Sequence, residues 1–532
     1  MNLKATAGIL LAQATMLGAI AAPTVTALAD EGDAKQFTVA TVRWTDAWPN
    51  DFLKEGVMAE MEEKAGVDLD WQIYYNSDWS EQKSLLLASG ELPDAFVGSI
   101  CLNSSDMAQN KDYFVDLTPY INEETMPNFY KFWQQYPEMQ RYMVDGEMYV
   151  FPVVLRDEWA NGFGPVIRTD LLEENGIATP TTWDEVLDAL AQLKEIYPDS
   201  TPWAIRKGTA NLLKTTSYML GSGFGSVSAS SGMYWDEDLG KYVYGPADTN
   251  FKEVLKFLNK AYTTGVLDQE YATTDSDSMT TKCSSGQSFF FVDNSGFGQN
   301  YTNELRKIAG NENATFQVLP IPENSLGERR AVSYDTRFGK LYAINANAKN
   351  KDQIIKFIDW MYSMEASDIT NYGIEGETFQ YNADGEAEYI SDYVMQFKDA
   401  SPSDYYACWT DIGAGKLDFS MYACNIKTQR EIQMITGSWS DLTEDYWKII
   451  NDDDAYVQPH IAPSFTTEEA DRVKELTTDL DTFFTQEYDK YITGKESIDN
   501  WDALIKKAED MGVRELEQLW NDAEARAVAG TK

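Results

Sequence analysis

The sequence predicts a two-lobed α/β protein, and three observations carry that expectation. The chain has 532 residues. Single hydrophobic cores stop growing at roughly 250–300 residues, so two or more lobes are required. Near the start, strand-like and helix-like segments alternate in β-α-β-α-β order, which specifies a parallel sheet with right-handed crossovers. Hydrophobic residues make up 43% of the chain, the normal share for a soluble globular protein.

Each element has a local reason. Phe37 to Arg43 (FTVATVR) is β-branched and aromatic and reads as the first strand. Trp44 to Asn50 is a turn-rich loop, and Asp51 to Ala65 has helical spacing of apolar residues. Val67 to Tyr75 is a second strand, Trp79 to Ala88 a second helix, and Ala95 to Val97 a short third strand. In open α/β sheets, ligands bind beyond the carboxyl ends of strands. The loops after Arg43, Tyr75 and Val97 are therefore the first site candidates.

A second lobe begins near Phe163, with Val166 and Ile167 in a strand. Between Trp183 and Tyr197, the residues Val186, Leu187, Leu190, Leu193 and Ile196 share one helical face. Tyr234 to Gly245 reads as a hairpin turning at Asp238-Leu239-Gly240-Lys241, and Phe251 to Tyr262 as an amphipathic helix. Phe289–Val292 and Phe316–Pro320 are buried strands. Lys340 to Ile344 returns to the first lobe and is followed by a helix from Ile354 to Met364. Residues 377–532 read as mainly helical and are expected on the second lobe.

The net charge of -43 is extreme. Nucleic acid requires basic surface, and anionic lipid a basic face, so both partners are disfavoured. The start has the form of a secretory signal: Lys4, an uncharged apolar run over 5–22, and Ala27-Leu28-Ala29 before Asp30. Gln13 and Pro23 interrupt the run and argue against a membrane span. In an exported chain the four cysteines Cys101, Cys283, Cys408 and Cys424 permit disulfides in three connectivities. Cys408 and Cys424 are the closest pair in sequence.

Three phrases then stand in order: Ser89-Gly90-Glu91-Leu92-Pro93-Asp94-Ala95-Phe96, Asp145-Gly146-Glu147-Met148-Tyr149-Val150-Phe151-Pro152, and Ile167-Arg168-Thr169-Asp170-Leu171-Leu172 running on to Thr182-Trp183-Asp184-Glu185. Lys340 to Asn345, Ile354 to Glu365 and Gly373-Ile374-Glu375-Gly376-Glu377 continue the pattern. Together they resemble the solute-binding proteins of ATP-driven (ABC-type) carbohydrate importers, near the large alginate- and oligosaccharide-binding members. The resemblance runs from about residue 37 to about 526.

It implies a periplasmic-binding-protein-like fold of two lobes, each a mainly parallel sheet flanked by helices, joined by a three-segment hinge. Residues 30–153 and 338–376 would form lobe 1, and 154–337 with 377–532 lobe 2, after a signal peptide over 1–29. The hinge segments would lie near 153–156, 334–339 and 373–380. The implied partner is an ABC permease in the membrane, and the implied state a monomer. Many relatives carry a lipid-anchored cysteine just after the signal. Here the first cysteine is Cys101, so a free periplasmic or secreted form is expected.

The chain holds 15 Trp, 30 Tyr and 24 Phe. Sugars offer C–H patches that aromatic faces cover and hydroxyls that carboxylates, amides and arginines pair with. Trp44, Trp48, Trp203, Trp409 and Trp439 stand in polar, loop-like company. Any one of them could equally pack in a core, and at least two are expected to line a cleft. Trp44, Asp46 and Trp48 follow the first strand, and Arg156 follows the first hinge strand. Asp293 and Asn294 end a buried strand, Arg337 precedes the returning strand, and Glu375 lies at the third crossing. Arg206 and Asp411, beside Trp203 and Trp409, complete the expected ligand-binding set. Asp94 is read as structural.

No cofactor and no metal are expected. Calcium-binding relatives carry a loop after the helix matching 183–196, but Tyr197-Pro198-Asp199-Ser200-Thr201-Pro202 lacks alternating oxygen ligands. Asn382-Ala383-Asp384-Gly385 is better read as a hairpin turn. The competing classes are a secreted glycoside hydrolase using two carboxylates and a peptide- or other-solute-binding protein of the same fold. The lone histidine, His460, makes any Ser-His-Asp arrangement depend on one residue. Flanked by Pro459 and Ile461, it reads as part of a docking segment.

Overall fold

The computed structural model describes residues 36–530, except 44, 45, 47, 99, 100, 156–161, 225–231, 332–337, 399, 401–403, 418–425, 428–440, 454 and 456–459. The proposed signal peptide, Trp44, Arg156, Arg337 and Trp439 lie outside the described residues.

The expected β-α-β-α-β start is present. Strand β1 (Gln36–Arg43) pairs in parallel with β2 (Asp68–Tyr75) and β3 (Ala95–Phe96). β4 (Phe151–Leu155) carries the chain out toward the second lobe. There, β5 (Phe163–Arg168) is followed by the hairpin β6 (Met233–Asp236) and β7 (Lys241–Tyr244). β8 (Phe290–Asn294) and β9 (Phe316–Val318) flank β5. β10 (Phe338–Ile344) returns to the first sheet, β11 (Phe379–Tyr381) and β12 (Ala387–Tyr389) form a hairpin, and β13 (Ile426–Lys427) closes the set.

The first sheet has six strands in the order β13-β4-β10-β3-β1-β2. β10 is antiparallel to both β3 and β4, so β4 runs in the same direction as β1. The carboxyl ends of β1, β2 and β4 therefore share one edge with the start of β10. That edge is where the chain leaves for, and returns from, the second lobe. Asp94 fastens the sheet: Thr38 N and Oγ1 both donate to its Oδ2 at 2.8 and 3.0 Å, in agreement with a structural role.

The second lobe differs from expectation. Its three-stranded sheet β8-β5-β9 is antiparallel throughout, not mainly parallel. Trp203 extends it through single parallel bridges to Phe290 and Leu267. Helix Trp183–Ile196 covers it, started by a capping box between Thr182 and Glu185, a motif that fixes helix starts locally.

The division between lobes is also corrected. The stretch from Ile369 to Ala414 packs with Val57 and Trp360 of the first lobe, and β13 adds a parallel strand beside β4. The described residues between Thr378 and Lys427 thus pack with lobe 1. The chain then enters lobe 2 with helix Asp441–Asp452, whose Leu442, Tyr446 and Ile450 pack on Val166, Phe291 and Phe316. No change of lobe falls at 373–380, because Tyr372, Phe379 and Tyr389 share one cluster with Val57. The chain is last described in the first sheet at Leu155 and at Lys427, and is next described in the second lobe at Gly162 and at helix Asp441–Asp452. The long helix Thr467–Ile492 and helices Trp501–Asp510 and Val513–Gly530 complete the second core.

Cys101, Cys283 and Cys408 are free and buried, and Cys424 lies outside the described residues. Burial pushes the Cys101 and Cys408 thiols up to about 12, which keeps them protonated and unreactive.

Candidate functional site

Topology defines the site before any side chain is considered. β5 enters lobe 2 at Phe163, and β8 runs antiparallel with Asn294 opposite Phe163. The end of β8 therefore lies at the edge facing lobe 1. On lobe 1 the loop that follows β1 lies at the sheet edge where β4 ends and β10 begins. These two strand-end regions are the candidate cleft walls.

On lobe 1 the site is built on Arg43. Its side chain is fully buried, and Nη1 donates to the Trp48 carbonyl (2.8 Å) and to Asn50 Oδ1 (3.1 Å). These bonds fold the loop back on the strand end, and the guanidinium rests over the Phe52 ring. Lys416 approaches the same ring, which brings segment 412–417 to the cleft edge. Asp46 and Trp48 are exposed, Trp48 at 36%. An exposed tryptophan held by its own backbone is a preformed flat face.

On lobe 2 the centre is Asp293, 1% exposed. Arg206 grips it in bidentate fashion, Nε to Oδ2 and Nη2 to Oδ1, both at 2.7 Å. Asn211 Nδ2 adds a longer contact at 3.3 Å, and the Asn294 amide donates to Oδ1. Such paired, charge-assisted bonds fix the guanidinium plane. The other face of Arg206 lies over Phe297, 5.1 Å from the ring centre. A cavity of 260 Å³ opens beside it, lined by Phe297, Asn300, Tyr301 and Glu304 among others. Burial first, and then the charge of Arg206, hold the neighbouring Lys207 ammonium below its usual range.

Asn294 stands beside Gly162 and Ser295. The buried Ser295 hydroxyl and the Tyr446 phenol have no hydrogen-bond partner among the described residues. Gly164 is required here, because a Cβ would lie 2.3 Å from the Tyr446 ring.

Not every predicted residue reaches the cleft. Trp203 is fully buried, packed edge-on against Phe257 and Phe290. It is a core residue of the second sheet, and its apolar area rather than its polar neighbours decided its place. Trp409 is 2% exposed, with Nε1 donating to the Thr370 carbonyl. It too is core rather than platform. Asp411 is exposed but accepts the Tyr393 hydroxyl at 2.8 Å within the same subdomain. Glu375 is exposed in a turn paired with Phe379, not at a chain crossing. The structure thus brings together Asp46 and Trp48 on one edge and Arg206, Asp293 and Asn294 on the other.

Sequence reasoning did not list Phe297, Ser295 or Lys416 as site residues. Phe297 follows Asp293-Asn294 by three residues, a proximity that a search beyond the strand end would have found. Lys416 carries no local signal.

Among the described residues, no group of three or more His, Cys, Asp or Glu is placed to hold a metal. In the turn after helix Trp183–Ile196, the Lys194 ammonium donates to the Ser200 carbonyl at 2.5 Å. The Asn382–Gly385 stretch is the turn of the β11–β12 hairpin, with Asn382 Oδ1 accepting from Asp384 and Glu386 amides.

The two lobes have separate cores, and polar and aromatic groups stand at the ends of β1 and β8. The chain belongs to the bacterial extracellular solute-binding protein family, which it matches over residues 45–368. It is 23% identical over 488 residues to the fructooligosaccharide ABC transporter substrate-binding protein FusA of Streptococcus pneumoniae, covering 87% of this chain and 86% of that protein. It is 22% identical over 477 residues to the polygalacturonan/rhamnogalacturonan-binding protein YtcQ of Bacillus subtilis, covering 88% of each. Among solved structures, the alginate-binding protein AlgQ2 without calcium ion superposes with a TM-score of 0.73 at 20% identity, over 92% of this chain and 97% of that one. At that identity the likeness establishes the fold.

Proposed function

We propose that this protein captures an oligosaccharide between its two lobes and delivers it to the permease of an ABC importer, without altering it. The observations that carry this reading are an exposed tryptophan on a pinned loop at the end of β1 and a carboxylate–guanidinium pair with an aromatic ring at the end of β8. Stacking on Trp48, and on Trp44 in the same loop, supplies affinity. Arg206, Asn294 and Asp46 supply directional hydrogen bonds to hydroxyls. Asp293 orients Arg206. Arg156 and Arg337, outside the described residues, are further polar candidates by their place in the sequence. Relatives named for fructooligosaccharide and for polygalacturonan/rhamnogalacturonan binding support a carbohydrate ligand.

The protein acts outside the cytoplasm, as a monomer exported by its first 29 residues. A net charge of -43 keeps it soluble there and away from nucleic acid.

The test is a panel of neutral and acidic oligosaccharides offered to the purified mature chain, read by thermal shift and calorimetry with chromatography of the recovered sugar. Saturable binding of one class with the sugar recovered intact is expected. Hydrolysis products would replace this reading with a glycoside hydrolase, and binding only of peptides would replace the ligand class.

A further inference from the structure

The lobes touch through Arg141 and its neighbours. Arg141 belongs to lobe 1, between Met139 and Val144 of its core. Its side chain nevertheless ends among lobe 2 groups. Nε donates to the Ile461 carbonyl at 3.0 Å, and Nη2 pairs with Glu524 and lies 3.2 Å from His460 Nε2. His460 Nε2 is also 3.1 Å from Glu524 Oε1. Its ring is stacked on Trp235 at 4.0 Å and meets Tyr242 edge-on. The side chains of Arg141 and Glu524 are 9% and 8% exposed.

Further bonds extend the contact. Ser464 Oγ donates to the Arg141 carbonyl and Thr467 Oγ1 to the Ala108 carbonyl, both at 2.8 Å. Gln109 donates to Asp471 at 2.9 Å. One residue on, the Tyr142 hydroxyl donates to the carbonyl of Phe338 at 2.8 Å, and Phe338 is where the chain re-enters lobe 1. The contact therefore sits beside a chain crossing.

We propose that the Arg141–Glu524–His460 cluster is a fixed pivot about which the lobes rotate as the cleft opens and closes. Separating the lobes here would break the Arg141–Glu524 ion pair and the Arg141–Ile461, Ser464–Arg141, Thr467–Ala108 and Gln109–Asp471 hydrogen bonds together. Hinge motions in two-lobed proteins are absorbed by backbone rotation at a few loop residues. Rotation that keeps Arg141 seated is therefore the cheaper motion. The inference rests on the proposed closure of the lobes. The experiment below needs no ligand, so its outcome is independent of which solute is bound.

Spin labels are placed at Asp78→Cys on lobe 1 and Glu304→Cys on lobe 2, both exposed positions. Cys424→Ser is included, and the other native thiols are buried. The distance distribution between labels is measured by pulsed electron resonance. Arg141→Met is expected to widen the distribution at least twofold over the parent. Arg141→Met/Glu524→Met removes both charges, orphans neither, and is expected to widen it equally. It also serves if the single variant does not fold. A distribution of unchanged width in a folded variant overturns the pivot.

Discussion

Arg43 and Arg206 stand on opposite edges of the cleft and have opposite fates. Arg43 is fully buried and spent on a carbonyl and an amide oxygen of its own loop. Arg206 keeps 17% of its side chain exposed and is held flat by a carboxylate that is itself buried. The first arginine shapes the backbone that presents a tryptophan; the second is itself presented. An arginine near a strand end is thus no guide to its role until its acceptors are known. Main-chain acceptors within a few residues mark a builder of the loop, and a distant buried carboxylate marks a group poised for a ligand.

Five substitutions would break or sharpen this contrast. The largest effects belong to the tryptophans that never reach the cleft. Trp203→Ala and Trp409→Ala should each cost about 3–5 kcal/mol of stability, measured by urea unfolding. A loss under about 1 kcal/mol at either site would return that ring to the list of binding candidates. Next, Asp293→Ala removes one partner of a mostly buried pair and should cost about 3 kcal/mol, together with at least a tenfold loss of sugar affinity in calorimetry. Unchanged affinity in a folded variant would show that Arg206 does not serve the ligand.

A pH dependence tests the other buried pair. Burial works against the Glu524 carboxylate, but hydrogen bonds from His460 and Arg141 outweigh it and hold the carboxyl below its usual range. A depressed carboxyl contributes stability above its unfolded value of about 4.3, and this is lost as pH falls through the folded value. The stability gap between the parent and Glu524→Gln should therefore be full at pH 7 and shrink below about pH 4. A gap constant between pH 7 and 3 would contradict this. The smallest effect on stability is expected at Trp48, where truncation to Ala should change unfolding by less than about 0.5 kcal/mol yet weaken sugar binding about tenfold. Retained affinity would leave stacking to other rings of the cleft.

Much of the fold was legible locally. The capping box at Thr182 and Glu185, the apolar face of the helix it starts and the hairpin around Gly240 are short-range patterns, and each appears where the residues put it. The site was only half legible. Asp293 and Asn294 were marked by a polar pair ending a buried strand, but Trp203 and Trp409 stand in similarly polar company and are buried. Sequence neighbours do not decide which surface a large ring meets.

The sequence by itself determined the two-lobed α/β class, the order of most elements and the family, because periodicity, caps and turn residues act within a few positions. Only the tertiary structure decided that the second sheet is antiparallel, that the described residues between Thr378 and Lys427 pack with the first lobe, and that Arg141 crosses to Glu524 over a separation of 383 residues. Those outcomes depend on which distant strand edges and buried charges find one another. The two-residue strand Ile426–Lys427 carries no periodicity of its own. Its place is set by the open edge of β4, which exists only once the rest of the lobe has assembled.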